Sequence, residues 1–198
     1  MQAVLLTVDR FSALIGKVFA WLILALTLAI CYEVFARYLF RAPTSWAFDV
    51  SYMLYGTLFM MAGAYTLSRG GHVRADFAYR LAPPRVQAGL DLALYILFFL
   101  PAMIGMIIYG WDFFLISLGQ NEQSSVSPDG PLIWPFKFVI CFAAVVVLIQ
   151  GFAEIARCVI CLREGEWPQK LNDVEEMEVL ALEAARRQYE ADRAREMA

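Results

Sequence analysis

Four long stretches of this chain carry no charged side chain, and they constrain its fold more than any other feature. They are Val18 to Tyr32, Val50 to Ser68, Leu92 to Trp111 and Phe138 to Ala153. A bilayer core about 30 Å thick is crossed by roughly 20 apolar helical residues. Lipid offers the backbone no hydrogen-bond partners, and the runs are too continuous for barrel strands, so all four read as helices. Composition agrees, with 61% hydrophobic and 18% charged residues, against roughly half and a quarter in soluble domains. The expected fold is an all-α membrane protein. Its four transmembrane helices are expected at about 13–40, 45–68, 90–118 and 133–162, within a membrane domain of residues 1–165.

The formal net charge of −3 argues against a nucleic-acid partner, which would call for a basic patch or stripe. That charge is unevenly placed. Residues 1–162 hold 10 basic and 9 acidic side chains, whereas 163–198 hold 6 basic and 10 acidic. The acidity belongs to a charged C-terminal segment, 166–198, expected to be a soluble helix capped by Asp173 with Glu176 three residues on. Its apolar stripe, Val174, Met177, Ala181 and Ala184, is weak and leaves its role open.

Orientation follows from the Lys and Arg beside the spans. Arg69, Arg74, Arg80 and Arg85 lie between the second and third, and the 119–133 connection has none. With Arg10, Lys17, Arg157 and Arg163 on the same side, both termini are expected in the cytoplasm, opposed only by Arg37 and Arg41. An amphipathic cytoplasmic segment is then expected between the second and third spans. The first run also invites a signal-peptide reading, but no small-x-small site follows it and YEVFARYLFR continues the helical pattern. Met1 to Gly16 reads as an interfacial lead-in. Thr44 or Ser45 is expected to cap the second span, with Asp49 in its first turn, and Pro101 is expected to kink the third.

The span centres hold no ionisable residue, which sets the chain apart from ion and proton pathways. Gln150 is the strongly polar side chain at depth, and Glu154 lies about 28 Å from Pro135 along its helix, near the inner interface. Glu33, Arg37 and Arg41, spaced i, i+4, i+8, share one face, as end-of-helix charges reaching for headgroups or as a partner contact. Gly56 and Gly63 share a face of the second span and permit close packing, within the chain or against a partner. Cys158 and Cys161 make a CxxC pair that reads as inert thiols on a cytoplasmic helix end, or as a dithiol if they face an oxidising compartment. His72 is the only histidine, which excludes a bis-histidine haem.

The order of these features resembles the small membrane (Q) subunit of tripartite ATP-independent periplasmic (TRAP) transporters, the DctQ-like proteins. The resemblance is carried by EVFARYLFRAP at the end of the first span and SWAFDVSYML opening the second. AYTLSRGGHVRADFAYRLAP follows, and WPFKFVICFAAVVVLIQGFAE forms the fourth span. It covers about residues 10–165, and Asp49 departs from it where Glu is the more frequent residue. It implies a non-catalytic subunit of the bacterial inner membrane, without cofactor, in a sodium-driven transporter of organic-acid anions. Its implied partners are the scaffold of a large membrane subunit, a periplasmic substrate-binding protein and lipid. Candidate outer contacts are Glu33, Arg37, Arg41, Trp46 and Asp49, and candidate inner positioning residues are Arg69, His72, Arg74 and Asp76. Gly56, Gly63, Gln150 and Glu154 complete the candidate interface. Two other classes remain open on the residues alone: a membrane thiol/quinone oxidoreductase using Cys158 and Cys161, and a self-associating channel.

Overall fold

A computed structural model of the chain describes residues 2–71, 79, 82–127, 130–177 and 180. It is helical, with α1 Gln2–Ala20, α2 Leu22–Tyr38, α3 Ala47–Ser68, α4 Pro84–Leu94, a π-turn Tyr95–Phe99, α5 Leu100–Gln120 and α6 Trp134–Glu164. Among the described residues, three stretches are long and apolar enough to cross a membrane: Gln2–Tyr38, Pro84–Gln120 and Trp134–Glu164. The 22 residues of α3 are not among these three stretches.

The helices form an open array. The α1–α2 rod packs on α3, α3 packs on α6, and α6 packs on α4 and α5, while α1 also reaches α6. The central helix α6 is the most buried. By contrast, Leu24, Leu28 and Phe35 of α2 and Leu97, Ile108 and Tyr109 of the α5 side are exposed. Such a large apolar surface suits lipid or a partner.

Several elements differ from the sequence expectation. The first helix begins at Gln2, and the 1–16 lead-in is part of a rod interrupted only at Trp21. Asp9 and Ser12, fully buried, face α6, so polar contacts that sequence alone does not reveal tie this end into the array. The helix containing the third span begins at Pro84, and the expected amphipathic segment before it falls largely outside the described residues. Trp46 occupies the N-cap position of α3 without a side-chain cap, because Thr44 instead donates its N–H and hydroxyl to Glu33.

The disturbance expected at Pro101 takes the form of the π-turn just before it, where the Leu100 N–H bonds the Tyr95 carbonyl. Proline lacks an N–H and its ring crowds the carbonyl four residues back, and a widened turn absorbs both defects. The turn carries Phe99 onto Gly151, where an added Cβ would lie 2.1 Å from the ring. At the end of α6, Gly165 takes the left-handed conformation (φ 86°) and donates to the Cys161 carbonyl, a glycine C-terminus. A further helical segment, 171–177, follows Lys170, whose N–H donates to Asp173 at 2.8 Å. Asp173 is thus the third residue of that helix and not its cap.

Candidate functional site

Two polar clusters mark opposite ends of the array. At the end where α2 runs into α3, Glu33 accepts from Arg37 at 2.5 and 2.9 Å and from the Thr44 N–H at 3.1 Å. Glu33 is thereby committed to closing the turn into α3, while the Arg37 side chain stays 54% exposed. Arg41 does not continue their face. The helix ends at Tyr38, and Arg41 adopts a left-handed φ of 52° while the Ala42 N–H reaches back to the Ala36 carbonyl. Trp46 stacks on Tyr32, ring centroids 5.9 Å apart.

Beyond α5, the described residues at the two ends of the 121–133 connection are drawn together by Ser124 N–H to the Pro131 carbonyl and Ile133 N–H to the Glu122 carbonyl. This pairing lowers Ser124 onto Asp49, which is buried and accepts the hydroxyl at 2.5 Å. Lys137, also buried, pairs with Glu122 and stands 3.7 Å from the centre of the Phe113 ring. The Lys137 hydrogen bond holds the Glu122 carboxyl below its usual range.

The other end is tied by a buried ionic network. Arg157 bonds Asp9 and Glu154, each at 2.5 Å. Gln150 donates to Asp9 at 2.8 Å and accepts from Ser12 at 2.8 Å, and Lys170 reaches the second Glu154 oxygen at 3.1 Å. Asp9, Ser12, Gln150 and Arg157 are fully buried. Nearby, Arg69 grips Glu175 with both terminal nitrogens, at 2.5 and 2.9 Å, and donates to Asn172 at 2.5 Å. That bond draws the Glu175 carboxyl down and pushes the Arg69 guanidinium up. The N-terminal helix and the segment after α6 therefore meet at one end of the molecule.

Of the residues singled out by sequence, Gln150 and Glu154 lie in this network, and Arg69 beside it. Gly56 and Gly63 face α6, where a Cβ on Gly56 would lie 2.6 Å from the Phe136 ring and one on Gly63 3.4 Å from Val147. His72, Arg74 and Asp76 lie outside the described residues. Sequence reasoning missed Asp9, Ser12, Arg157 and Lys170 as one group, as well as the pairing of Lys137 with Glu122. A signal existed: Asp9, Ser12 and Gly16 fall at i, i+3, i+7 and Gln150, Glu154 and Arg157 at i, i+4, i+7, so each trio lines one helical face.

The described charges of both clusters are largely matched to one another. Cys158 and Cys161 are buried between α6 and Ala88, Leu92, Tyr95 and Trp167, a packing position that shields a thiol from reagents. Among the described residues no three His, Cys, Asp or Glu side chains are grouped to hold a metal ion. A comparison with curated proteins finds no match. The sequence matches the family described as "Tripartite ATP-independent periplasmic transporters, DctQ component" over residues 26–160. With most of its length inside that match, and with apolar helices long enough to cross a membrane, the chain belongs to the DctQ family of membrane transporter components.

Proposed function

We propose that the chain is the non-catalytic small permease subunit of a TRAP-type secondary transporter. In this reading it packs against the scaffold of the large membrane subunit and supports sodium-coupled uptake of an organic-acid anion delivered by a periplasmic binding protein. It crosses the bacterial inner membrane four times, with α3, about 33 Å long for 22 residues, as the second span. Both termini are cytoplasmic in this reading, which the arginines between α3 and α4 and their lack in 119–133 support.

The observation that carries the reading is the use of charge. Asp9, Glu154, Arg157 and Lys170 are engaged in holding the array together, while long apolar faces on α2 and α5 remain exposed. A frame for a moving domain needs a rigid body, lipid-facing sides and no wet path. Exposed Arg37 and Arg41, with Trp46 and the outer loop, provide the face that meets the binding protein.

Tagged chain extracted from its native membrane is expected to bring with it a much larger multi-span protein, and purified chain alone in liposomes to pass no ions. Repeated recovery of the chain by itself, or ion flux through it alone, would overturn the proposal.

A further inference from the structure

Three cavities lie end to end along one face of the array. The outer one, about 430 Å³, is bordered by Asp49 on α3, Phe113 on α5 and Lys137 on α6. The middle one, also about 430 Å³, lies between Met60 on α3 and Met103 on α5, over Val147 of α6. The inner one, about 590 Å³, shares Gly63, Met103 and Val147 with the middle one and continues to Gly70. Their alignment has a packing cause: α3 and α5 each pack on α6 but make few close approaches to each other. The result is a crevice walled by α3 on one side and by α5, the π-turn and the end of α4 on the other, and floored by α6. From Asp49 to Gly70 it runs about 31 Å along α3, which matches a hydrocarbon core of about 30 Å.

The lining is mostly apolar, broken by Asp91 at the inner end and by Asp49 at the outer end. One of the Asp49 oxygens takes the Ser124 hydroxyl, while Oδ2 is buried without a hydrogen-bond partner. Lys137 does not serve Asp49, since it is held by Glu122 and the Phe113 ring. Among the described residues, Lys137 is paired with Glu122, and Asp49 has no cation in an ion pair with it. A buried carboxylate oxygen lacking a donor is costly, and native structures pair such groups.

We infer that the crevice seats a transmembrane helix of the large membrane subunit, with a Lys or Arg on the outer turn of that helix donating to Asp49 Oδ2. The inference rests on the small-subunit reading above. Gly63, Ala102 and Ala143 along the crevice allow the close backbone approach by which helices associate in lipid. The incoming cation supplies the ion-pair partner that Asp49 lacks among the described residues.

The test places a photo-crosslinking amino acid at Met60 or Met103 of the full chain in its native membrane, with products mapped by mass spectrometry. Both positions are expected to cross-link one transmembrane segment of the copurified large subunit, a segment bearing Lys or Arg on its outer turn. Asp49→Asn is expected to lower the recovered large subunit at least tenfold, and Asp49→Glu to retain it. Cross-links to lipid alone at both positions, with the large subunit still copurifying, overturn the crevice assignment and leave the small-subunit reading intact. Undiminished recovery with Asp49→Asn overturns the ion pair. Failure of the unsubstituted chain to recover any large subunit overturns both readings.

Discussion

Arg157 joins two carboxylates from different parts of the chain, Asp9 at one end and Glu154 one turn away on its own helix. Its planar fork lets one side chain satisfy both, which a lysine ammonium could not do with the same geometry. Removing one partner of a buried ion pair leaves the other charge buried and alone, at a cost of about 3–5 kcal/mol. Arg157→Ala is therefore expected to lower the thermal unfolding midpoint sharply in detergent, and adding Asp9→Asn to recover part of the loss. Additive losses in that double-mutant cycle would show that the two residues do not act as a pair. In the sequence Asp9 and Arg157 read only as charges near the ends of apolar runs. Their partnership spans 148 positions of chain, beyond the reach of any local pattern.

At the scale of elements, the apolar runs were legible because lipid admits so few backbone solutions. Caps and turns were less so. Thr44 has the chemistry of an N-cap, whose oxygen would accept from an N–H of α3, yet its own N–H and hydroxyl donate to Glu33, an outcome decided by where α2 ends. Pro101 announced a disturbance, but only the fold shows that the π-turn uses it to press Phe99 onto Gly151. Gly151→Ala puts a methyl group against that ring and is expected to cost about 1–3 kcal/mol, the usual penalty of overpacking. Phe99→Leu should restore most of the stability of that variant, as measured by thermal unfolding. If Phe99→Leu and Gly151→Ala destabilise independently, the contact is not what holds the π-turn in place.

For the whole molecule, the segment that looked like a detached charged tail starts by folding back. Leu171 is buried, Lys170 completes the Glu154 pair, and Arg69 holds Glu175. The lowered Glu175 carboxyl sets the sign of the pH effect. A carboxylate with a depressed folded value stabilises docking above its unfolded value near 4.5. That contribution is lost as the pH falls from there through the lower folded value. Glu175 is half-exposed, so this pair alone is worth about 1 kcal/mol or less. Hydrogen exchange over residues 171–177, corrected for its intrinsic pH dependence, is expected to be slow at neutral pH and to quicken only in acid. Arg69→Ala should quicken it at neutral pH. Equal protection in both proteins at every pH would separate this segment from Arg69.

By itself the sequence determined the solvent. Uncharged runs of this length have one stable resting place, and the family follows from motifs distributed along them. It also supplied the charge asymmetry from which orientation is inferred, because that rule counts side chains without needing their positions. Tertiary structure decided which polar groups are spent inside the chain and which are left over. The carboxylates of Asp9 and Glu154 are balanced by Arg157 and Lys170, whereas Asp49 keeps an oxygen unpaired. Whether a buried charge is matched depends on what stands within about 3 Å of it, and that distance is set by packing between elements far apart in the chain.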